Sequence, residues 1–138
     1  MTETGDGAWT VKGGNAVYEH DSDHIIVAHN LLVDCEEDAA HMRLGQPAPL
    51  AVTGRGATCR DHRVMNNLVI GCGGGIYFGR PHNMACGNAY ARLTGRAPWT
   101  IAEPLERLDF GSWREFHGHD SQGGIVDADV LPLDPRAR

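Results

Sequence analysis

Aromatic residues are scarce in this chain, at 7% of its 138 residues, whereas glycine is plentiful at 18. With so few aromatics, the core has to be filled by small and β-branched side chains, and the glycines indicate many tight turns. This composition disfavours a helical bundle. The hydrophobic fraction of 41% is enough for the core of one domain.

Positive charge is also in short supply, since 12 Lys and Arg face 18 Asp and Glu and give a formal net charge of -6. Proteins that neutralise many phosphates need an excess of basic residues, so we expect no nucleic-acid partner. Lysine is almost missing, because Lys12 is the single lysine and the other basic residues are arginines. Arginine favours planar, bidentate pairing with carboxylates, which keeps anionic small groups among the expected ligands.

Long apolar runs are missing as well, and the N-terminus shows no basic start followed by an apolar stretch. We therefore expect no membrane partner and no export signal in the sequence as it stands, and the cellular location stays open. Cysteines lie only at positions 35, 59, 72 and 86, without the paired spacing of a zinc site or the density of a disulfide scaffold. We expect buried, reduced thiols and no cofactor.

Two segments rich in ligand-type residues do not change that expectation. They are HDSDH at 20–24 and HGHD at 117–120. Adjacent residues on a strand and turn rarely converge on one ion, so we expect no metal site at either segment.

Two other segments share one construction: HIIVAHNLLVDC at 24–35 and HRVMNNLVIGC at 62–72. Asn30 and Asn67 are 37 residues apart, as are the cysteines that end the two segments. A weaker copy, HNMACGNAY at 82–90, places Asn88 21 residues after Asn67. A period near 21 is typical of a solenoid, and the longer first interval indicates a loop inserted between coils at 46–60.

Short β-rich runs lie between these marks and predict strands of about three to five residues. The runs are AVY at 16–18, IIV at 25–27, LLV at 31–33, LVI at 68–70 and IYF at 76–78. An Asn that recurs at one bend of every coil can bond the backbone and its stacked copies. We predict a ladder of Asn30, Asn67 and Asn88, with Cys35 stacked on Cys72.

The pattern changes after Tyr90, where short helical turns are expected to cap the last coil. Leu105, Leu108, Trp113 and Phe116 are the apolar residues expected to pack there. The sequence thus predicts an all-β fold with a parallel β-solenoid of about three to four coils at 1–90 and a capping segment at 91–138. The N-terminal end starts almost directly in a coil, which indicates either a piece of something longer or a homo-oligomer that covers this open face.

The Asn-centred coils, the two NLxxxC turns and the tail WREFHGHDSQGGIVDADVLPLDP resemble the C-terminal part of right-handed parallel β-helix proteins of the pectate-lyase-like superfamily. Within it, GGNAVYEHDSDHIIVAHNLLVDC is similar to β-helix glycoside hydrolases, including the β-xylosidase-like group. The resemblance implies a carbohydrate partner and hydrolysis of a polysaccharide or oligosaccharide. Those proteins are several times longer, so two alternatives stay open: a polysaccharide lyase, and a non-catalytic module for glycan binding or self-assembly.

Alignment of the strands before each Asn turn sends Val17, Ala40 and Ile76 inward and their neighbours outward. The predicted substrate-binding residues are the outward rings with the polar residues close by: Tyr18, His20, His41, Arg43, Tyr77 and Arg80. Sugars stack on such rings, and uronates would pair with such arginines. The alternative is a solvated sheet face whose aromatics merely pack on one another.

Hydrolysis of a glycosidic bond needs two carboxyl groups roughly 5 to 9.5 Å apart. We predict Glu19, beside the strip, and Asp38, from the next coil, as the catalytic pair. Two observations oppose this, because 36–38 has the composition of a solvated acidic corner and strict alternation points Glu19 inward, where it would need an Arg partner. In a lyase, His20, His41, Arg43 and Arg80 would matter more.

Overall fold

The regular elements among the described residues are short strands and one short helical turn. A computed structural model describes residues 2–3, 9–10, 14–20, 22–43, 59–102 and 105–126. Apart from Cys59 and Arg60, the predicted inserted loop lies outside these ranges. Within them the protein is all-β with almost no helix, which confirms the predicted class.

The strands fall into three repeats of three, preceded by an antiparallel pair, β1 (Thr2–Glu3) and β2 (Trp9–Thr10). The first repeat holds β3 (Val17–His20), β4 (Ile26–Ala28) and β5 (Leu31–Val33). The second holds β6 (Asp38–Arg43), β7 (Arg63–Met65) and β8 (Leu68–Ile70). The third holds β9 (Gly74–Phe78), β10 (Met84–Cys86) and β11 (Ala89–Ala91). Then follow β12 (Trp99–Ile101), β13 (Glu106–Leu108), a π-helical turn (Ser112–Phe116) and β14 (Gly124–Ile125).

The chain visits three sheets in turn. One contains β3, β6, β9, β12 and β13 side by side, the second β4, β7 and β10, and the third β5, β8, β11 and β14. Within these three sheets every pairing is parallel except that of β12 with β13. Mostly parallel, stacked sheets visited in this order are compatible with a parallel β-solenoid.

The register confirms the two predicted sequence intervals. Leu31 pairs with Leu68, and Leu68 pairs with Ala89. The side chains of Asn30, Asn67 and Asn88, one at the same bend of each repeat, are separated by 37 and 21 residues in the sequence. Strand pairing also continues beyond residue 90, because β12 extends the sheet of β9 and β14 extends that of β11.

The predicted Asn ladder is present. The backbone N–H and side-chain amide of Asn30 donate to Asn67 Oδ1 at 3.0 and 3.1 Å. The same two groups of Asn67 donate to Asn88 Oδ1, both at 2.9 Å. Because each amide satisfies backbone and side-chain donors of its neighbour, the bends of adjacent repeats are held in register.

The cap differs from its prediction. Trp113 is fully buried and Leu108 is 8% exposed, but Leu105 is 59% and Phe116 is 83% exposed. The expectation that all four residues pack on the last coil is therefore wrong for Leu105 and Phe116. β13 turns back antiparallel on β12, and the short turn that follows then places only the indole of Trp113 in the core.

The four cysteines are free thiols, and Cys35, Cys59 and Cys72 are buried as expected. A hydrogen bond between the Cys35 and Cys72 thiols raises the pKa of Cys35 and lowers the pKa of Cys72. Burial raises the pKa of Cys35 further. Burial raises the pKa of the Cys59 thiol to about 11. The raised pKa values of Cys35 and Cys59 therefore identify these two thiols as packing groups of the core rather than activated nucleophiles.

Candidate functional site

One row of side chains crosses the outer face of the five-stranded sheet. Tyr18 pairs with His41, and His41 pairs with Tyr77. The row continues beyond the predicted strip, because Tyr77 pairs with Thr100 and Thr100 pairs with Arg107. We call these five residues the central row. This register confirms the predicted alignment of the three strands, which puts Tyr18, His41 and Tyr77 in one row.

The three rings of the central row stack on one another. The centroids of Tyr18 and His41 are 5.5 Å apart with planes inclined by 23°, and those of His41 and Tyr77 are 4.0 Å apart at 7°. A sugar ring cannot enter between rings at these distances. The strip therefore offers polar ring edges to a ligand.

His41 is fixed on several sides. Tyr18 and Tyr77 cover its two faces, and its Nδ1 lies 2.9 Å from Asp38 Oδ2. The side chains of His41 and Asp38 are 18% and 20% exposed, respectively. Gly74 makes this pair possible, because a Cβ at that position would collide with the Asp38 carboxylate. The ring edge that carries Nε2 is left to face a ligand.

A hollow of about 660 Å³ opens beside the strip, and both His41 and Tyr77 line it. Thr100 is the short side chain of the central row at that point, and it is buried. The polar and aromatic residues that line the hollow include Glu36, Glu37, Asp38, His41, Tyr77, Arg96, Thr100 and Arg107.

Charge is divided across the hollow. Glu36, Glu37 and Asp38 come from the turn that leads into β6. Arg107 belongs to β13, and Arg96 belongs to the segment before β12; both arginines are exposed. A bound molecule is therefore presented with carboxylates at one end and guanidinium groups at the other.

The predicted binding residues other than the stacked rings divide into two groups. His20 pairs with Arg43 beside the strip, and Arg43 Nη1 approaches the Tyr18 hydroxyl at 3.5 Å. Arg80 follows β9 in the bend that precedes β10, and its charge acts on the buried Cys59 thiol. The structure thus places His20 and Arg43 at the strip and does not bring Arg80 to it.

Glu19 does not lie on the outer face. It pairs with the buried Met42, its side chain is 15% exposed, and its Oε2 lies 3.6 Å from Nε2 of His62. The inward alternative is thus the one observed, with a histidine in place of the Arg partner. Asp38 lies four residues from Met42 along β6, about 13 Å at the usual rise per residue, so the predicted catalytic pair is not brought together.

His62 is fully buried beside Glu19. Its Nδ1 accepts the backbone N–H of Ile25 at 3.1 Å, which assigns the proton of the neutral ring to Nε2. Burial lowers the pKa of His62, although the nearby Glu19 charge opposes that shift. This pair lies in the interior between the first and second repeats, where Glu19 Oε2 and His62 Nε2 face each other without a hydrogen bond.

Sequence reasoning missed Arg96, Thr100 and Arg107, since it assigned everything after Tyr90 to a cap. The signal that could have found Thr100 is WTI at 99–101, a short β-rich run spaced 23 residues after the IYF run. Extending the strand alignment by one more member would have placed Thr100 beside Tyr77. Arg107 had no such signal, because its strand pairs antiparallel.

A second hollow, of about 520 Å³, lies along the three-stranded sheet. It is lined by His24, Arg60, Asp61, Arg63 and His82, among others. Among the residues that the structure describes, no three His, Cys, Asp or Glu side chains are placed to hold a metal ion. In the same residues, no helix has the length and apolar character needed to cross a membrane.

Comparison with protein-family models, with curated proteins and with solved structures found no match for this chain.

Proposed function

We propose that this chain is a right-handed parallel β-helix that binds carbohydrate in the hollow beside Tyr77. The observation that carries this proposal is the hollow that the Tyr77 ring lines together with three carboxylates and two guanidinium groups. An exposed ring face next to several hydrogen-bonding groups is what a sugar uses, because one side of the sugar is apolar and its rim is hydroxylated.

The β-helix part of the proposal is supported by the order of the sheets and by the Asn ladder. Each repeat contributes one strand to each of three sheets, with parallel pairing between repeats. Connections between parallel strands of one sheet are right-handed in about 98% of cases, which supports the right-handed form. The resemblance to pectate-lyase-like proteins is consistent with this arrangement and supplies carbohydrate as the ligand class.

Binding is favoured over catalysis because Glu19 and Asp38 lie apart. Hydrolysis is nevertheless a second candidate, since three carboxylates line one end of the hollow. Asp38→Asn separates the two functions. A hydrolase would keep its affinity for an oligosaccharide and lose release of reducing ends, whereas a binding module would release none in either form.

Self-association through the first repeat is the other candidate. Tyr18, Ile26, Leu31 and Val33 are 51%, 61%, 58% and 45% exposed, and all four lie in that repeat. Exposed apolar side chains gathered at one end of a stack are typical of an interface. Light scattering on the purified chain distinguishes a dimer or larger assembly from a monomer.

The test of glycan binding is calorimetric titration with neutral and acidic oligosaccharides, using Tyr77→Ala to remove the ring face. We expect that variant to lose binding to every sugar that the unaltered protein binds. Met84→Ala is the matched control, because Met84 is 57% exposed on the three-stranded sheet, away from the hollow. Equal affinity of Tyr77→Ala and the unaltered protein would refute the proposed site.

A further inference from the structure

Cys35 and Cys72 occupy equivalent positions in the first and second repeats. Leu31 pairs with Leu68, and each cysteine lies four residues beyond its leucine (35−31 and 72−68). The parallel register continues past the strands, because the backbone N–H of Gly73 donates to the Cys35 carbonyl at 2.9 Å. Neighbouring strands lie about 4.8 Å apart, and a disulfide joins cysteines whose Cα atoms are about 4.4 to 6.8 Å apart. The backbone therefore holds these two cysteines at the spacing that a disulfide needs.

The side chains of the two cysteines also meet. Both belong to the hydrophobic core, where Cys35 is 3% exposed and Cys72 is fully buried. Cys72 Sγ lies 3.8 Å from the Leu32 carbonyl oxygen, so it reaches back to the first repeat. The hydrogen bond between the two thiols raises the pKa of Cys35 and lowers the pKa of Cys72. Cys72 is therefore the one of the two that forms a thiolate more readily.

The third repeat adds no further thiol to this stack. Its equivalent position is Leu93, 21 residues after Cys72, and this side chain packs against the core. The other two cysteines lie elsewhere. Cys59 Sγ is 3.4 Å from the Met42 carbonyl oxygen, and Cys86 belongs to β10 in the three-stranded sheet. Among the four cysteines, the fold thus brings one pair together.

The pair lies in the outermost repeat that the structure describes, since β3, β4 and β5 each lie at one end of their sheets. Edge elements open locally at a lower free-energy cost than central ones, and a small molecule can then reach a buried group. The pair also lies directly behind the hollow, because Cys35 precedes Glu36 and Cys72 precedes Gly73, and both of these neighbours line it. A covalent link would fix the first repeat on the second where the acidic turn begins.

We propose that Cys35 and Cys72 are a redox-sensitive pair, which closes to a disulfide and clamps the first repeat to the second when a peroxide reaches it. The Cys72 thiolate attacks one oxygen of hydrogen peroxide, the O–O bond breaks, and the departing hydroxide takes up the proton that the Cys72 thiol released. The product is a sulfenic acid. The Cys35 sulfur then attacks the Cys72 sulfur, the S–O bond breaks, and the departing hydroxide takes up the Cys35 proton. Two thiols are oxidised, and one peroxide is reduced to two water molecules.

The experiment treats the purified, fully reduced chain with one equivalent of hydrogen peroxide and maps the linked peptides by mass spectrometry. We expect two of the four free thiols to be lost, with a single link between residues 35 and 72. The mass of the chain should fall by that of two hydrogen atoms, and a reductant should restore all four thiols. The linked chain should have a Tm about 10 °C higher, because the disulfide constrains the unfolded chain.

The same chain unfolded in urea is the control for chance pairing. Loop closure in an unfolded chain favours short separations. Links of Cys72 to Cys59 and to Cys86, which are 13 and 14 residues away, should therefore outcompete the link to Cys35, which is 37 residues away.

Two variants assign the reaction to the pair. The double variant Cys59→Ala/Cys86→Ala should form the same link as the unaltered protein. Cys35→Ser should form no link within the chain, and its Cys72 should instead be trapped by dimedone as a sulfenic acid. Thermal unfolding before oxidation checks that each variant is folded.

Three results would overturn the proposal. A folded chain that keeps all four thiols while the unfolded chain is oxidised would show that the fold shields the pair from peroxide. A different link in the folded chain, or oxidation of Cys72 to a sulfinic acid while Cys35 stays reduced, would show that the two sulfur atoms do not meet. A link between residues 35 and 72 without a rise in Tm would overturn the clamp.

Discussion

Asp120 Oδ1 accepts two hydrogen bonds from Asn88, one from the backbone N–H at 3.0 Å and one from the side-chain amide at 2.8 Å. Its other oxygen accepts the Tyr90 hydroxyl at 2.6 Å and the Trp113 indole N–H at 2.9 Å. Asp120 thus takes the place that a further Asn would have in the ladder. A carboxylate ends the ladder well, because it accepts four donors and brings no donor of its own.

Asp120→Asn should destabilise the fold, because the new amide would turn its N–H₂ toward the Tyr90 hydroxyl and the Trp113 indole, which are already donors. Leaving buried polar groups unsatisfied costs about 1 to 3 kcal/mol each. We expect a loss of that order, measured by denaturant unfolding. Asp109→Asn is the control, since Asp109 is exposed and its side chain caps the backbone N–H of Ser112 at 2.8 Å, which an amide can also do. Equal losses in the two variants would contradict the capping role of Asp120.

The position of an Asn along the ladder should determine how much its replacement lowers the free energy of unfolding. Asn67 is 2% exposed and bonds both neighbours of the ladder, whereas Asn30 is exposed and bonds one. We expect Asn67→Ala to lower the free energy of unfolding by about 3 kcal/mol or more and Asn30→Ala by about 1 kcal/mol. Denaturant unfolding of the two variants side by side checks this order, and the reverse order would show that the ladder is not the stabilising element.

Acid should destabilise the protein through its buried histidines. Burial, with a smaller contribution from His117, lowers the pKa of His119 to about 4 against the opposing charge of Asp120. Between about pH 6.5 and 4 the unfolded chain therefore takes up a proton at this residue that the folded chain does not. Stability falls as the pH drops through that window, by up to about 3 kcal/mol from His119. Buried His62 acts in the same direction, because its pKa is lowered as well.

The variant His119→Gln tests this pH dependence, since a glutamine can still accept the Ala85 N–H that His119 Nδ1 accepts at 3.2 Å. Its stability should change less between pH 6.5 and 4 than that of the unaltered protein, as followed by denaturant midpoints at several pH values. His20→Gln, at an exposed histidine, is the control. An unchanged slope in His119→Gln would assign the acid sensitivity to other groups.

The two acids of the predicted catalytic pair should behave differently. Asp38→Asn removes the charge that holds His41 at the edge of the hollow, so in the proposed binding module it is expected to weaken oligosaccharide binding. Glu19→Gln lies inward beside His62, so it should alter stability and leave the affinity for glycans unchanged. Titration calorimetry and thermal unfolding of both variants check this. Loss of glycan affinity in Glu19→Gln with stability intact would restore Glu19 as a site residue.

The repeat of the strands and the face on which their side chains lie could be predicted, because both depend on residues that are close together in the sequence. The Asn30 and Asn67 segments share their construction, so parallel stacking followed directly from the spacing. Alternation of side chains along a strand likewise predicted that Tyr18, His41 and Tyr77 share one face. The same alternation gave the inward position of Glu19 as an alternative, and the structure shows Glu19 inward beside His62.

What the sequence determined by itself is therefore the all-β class, the repeat and the Asn bend, since each depends on residue type and spacing. Only the tertiary structure decided that the rings cover one another's faces, that Asp120 ends the ladder, and that Thr100 and Arg107 complete the central row. These features depend on where a late segment returns to the sheet. β13 pairs antiparallel and the turn before Asp120 has no repeat to align it, so the sequence carried no periodic signal that could place them.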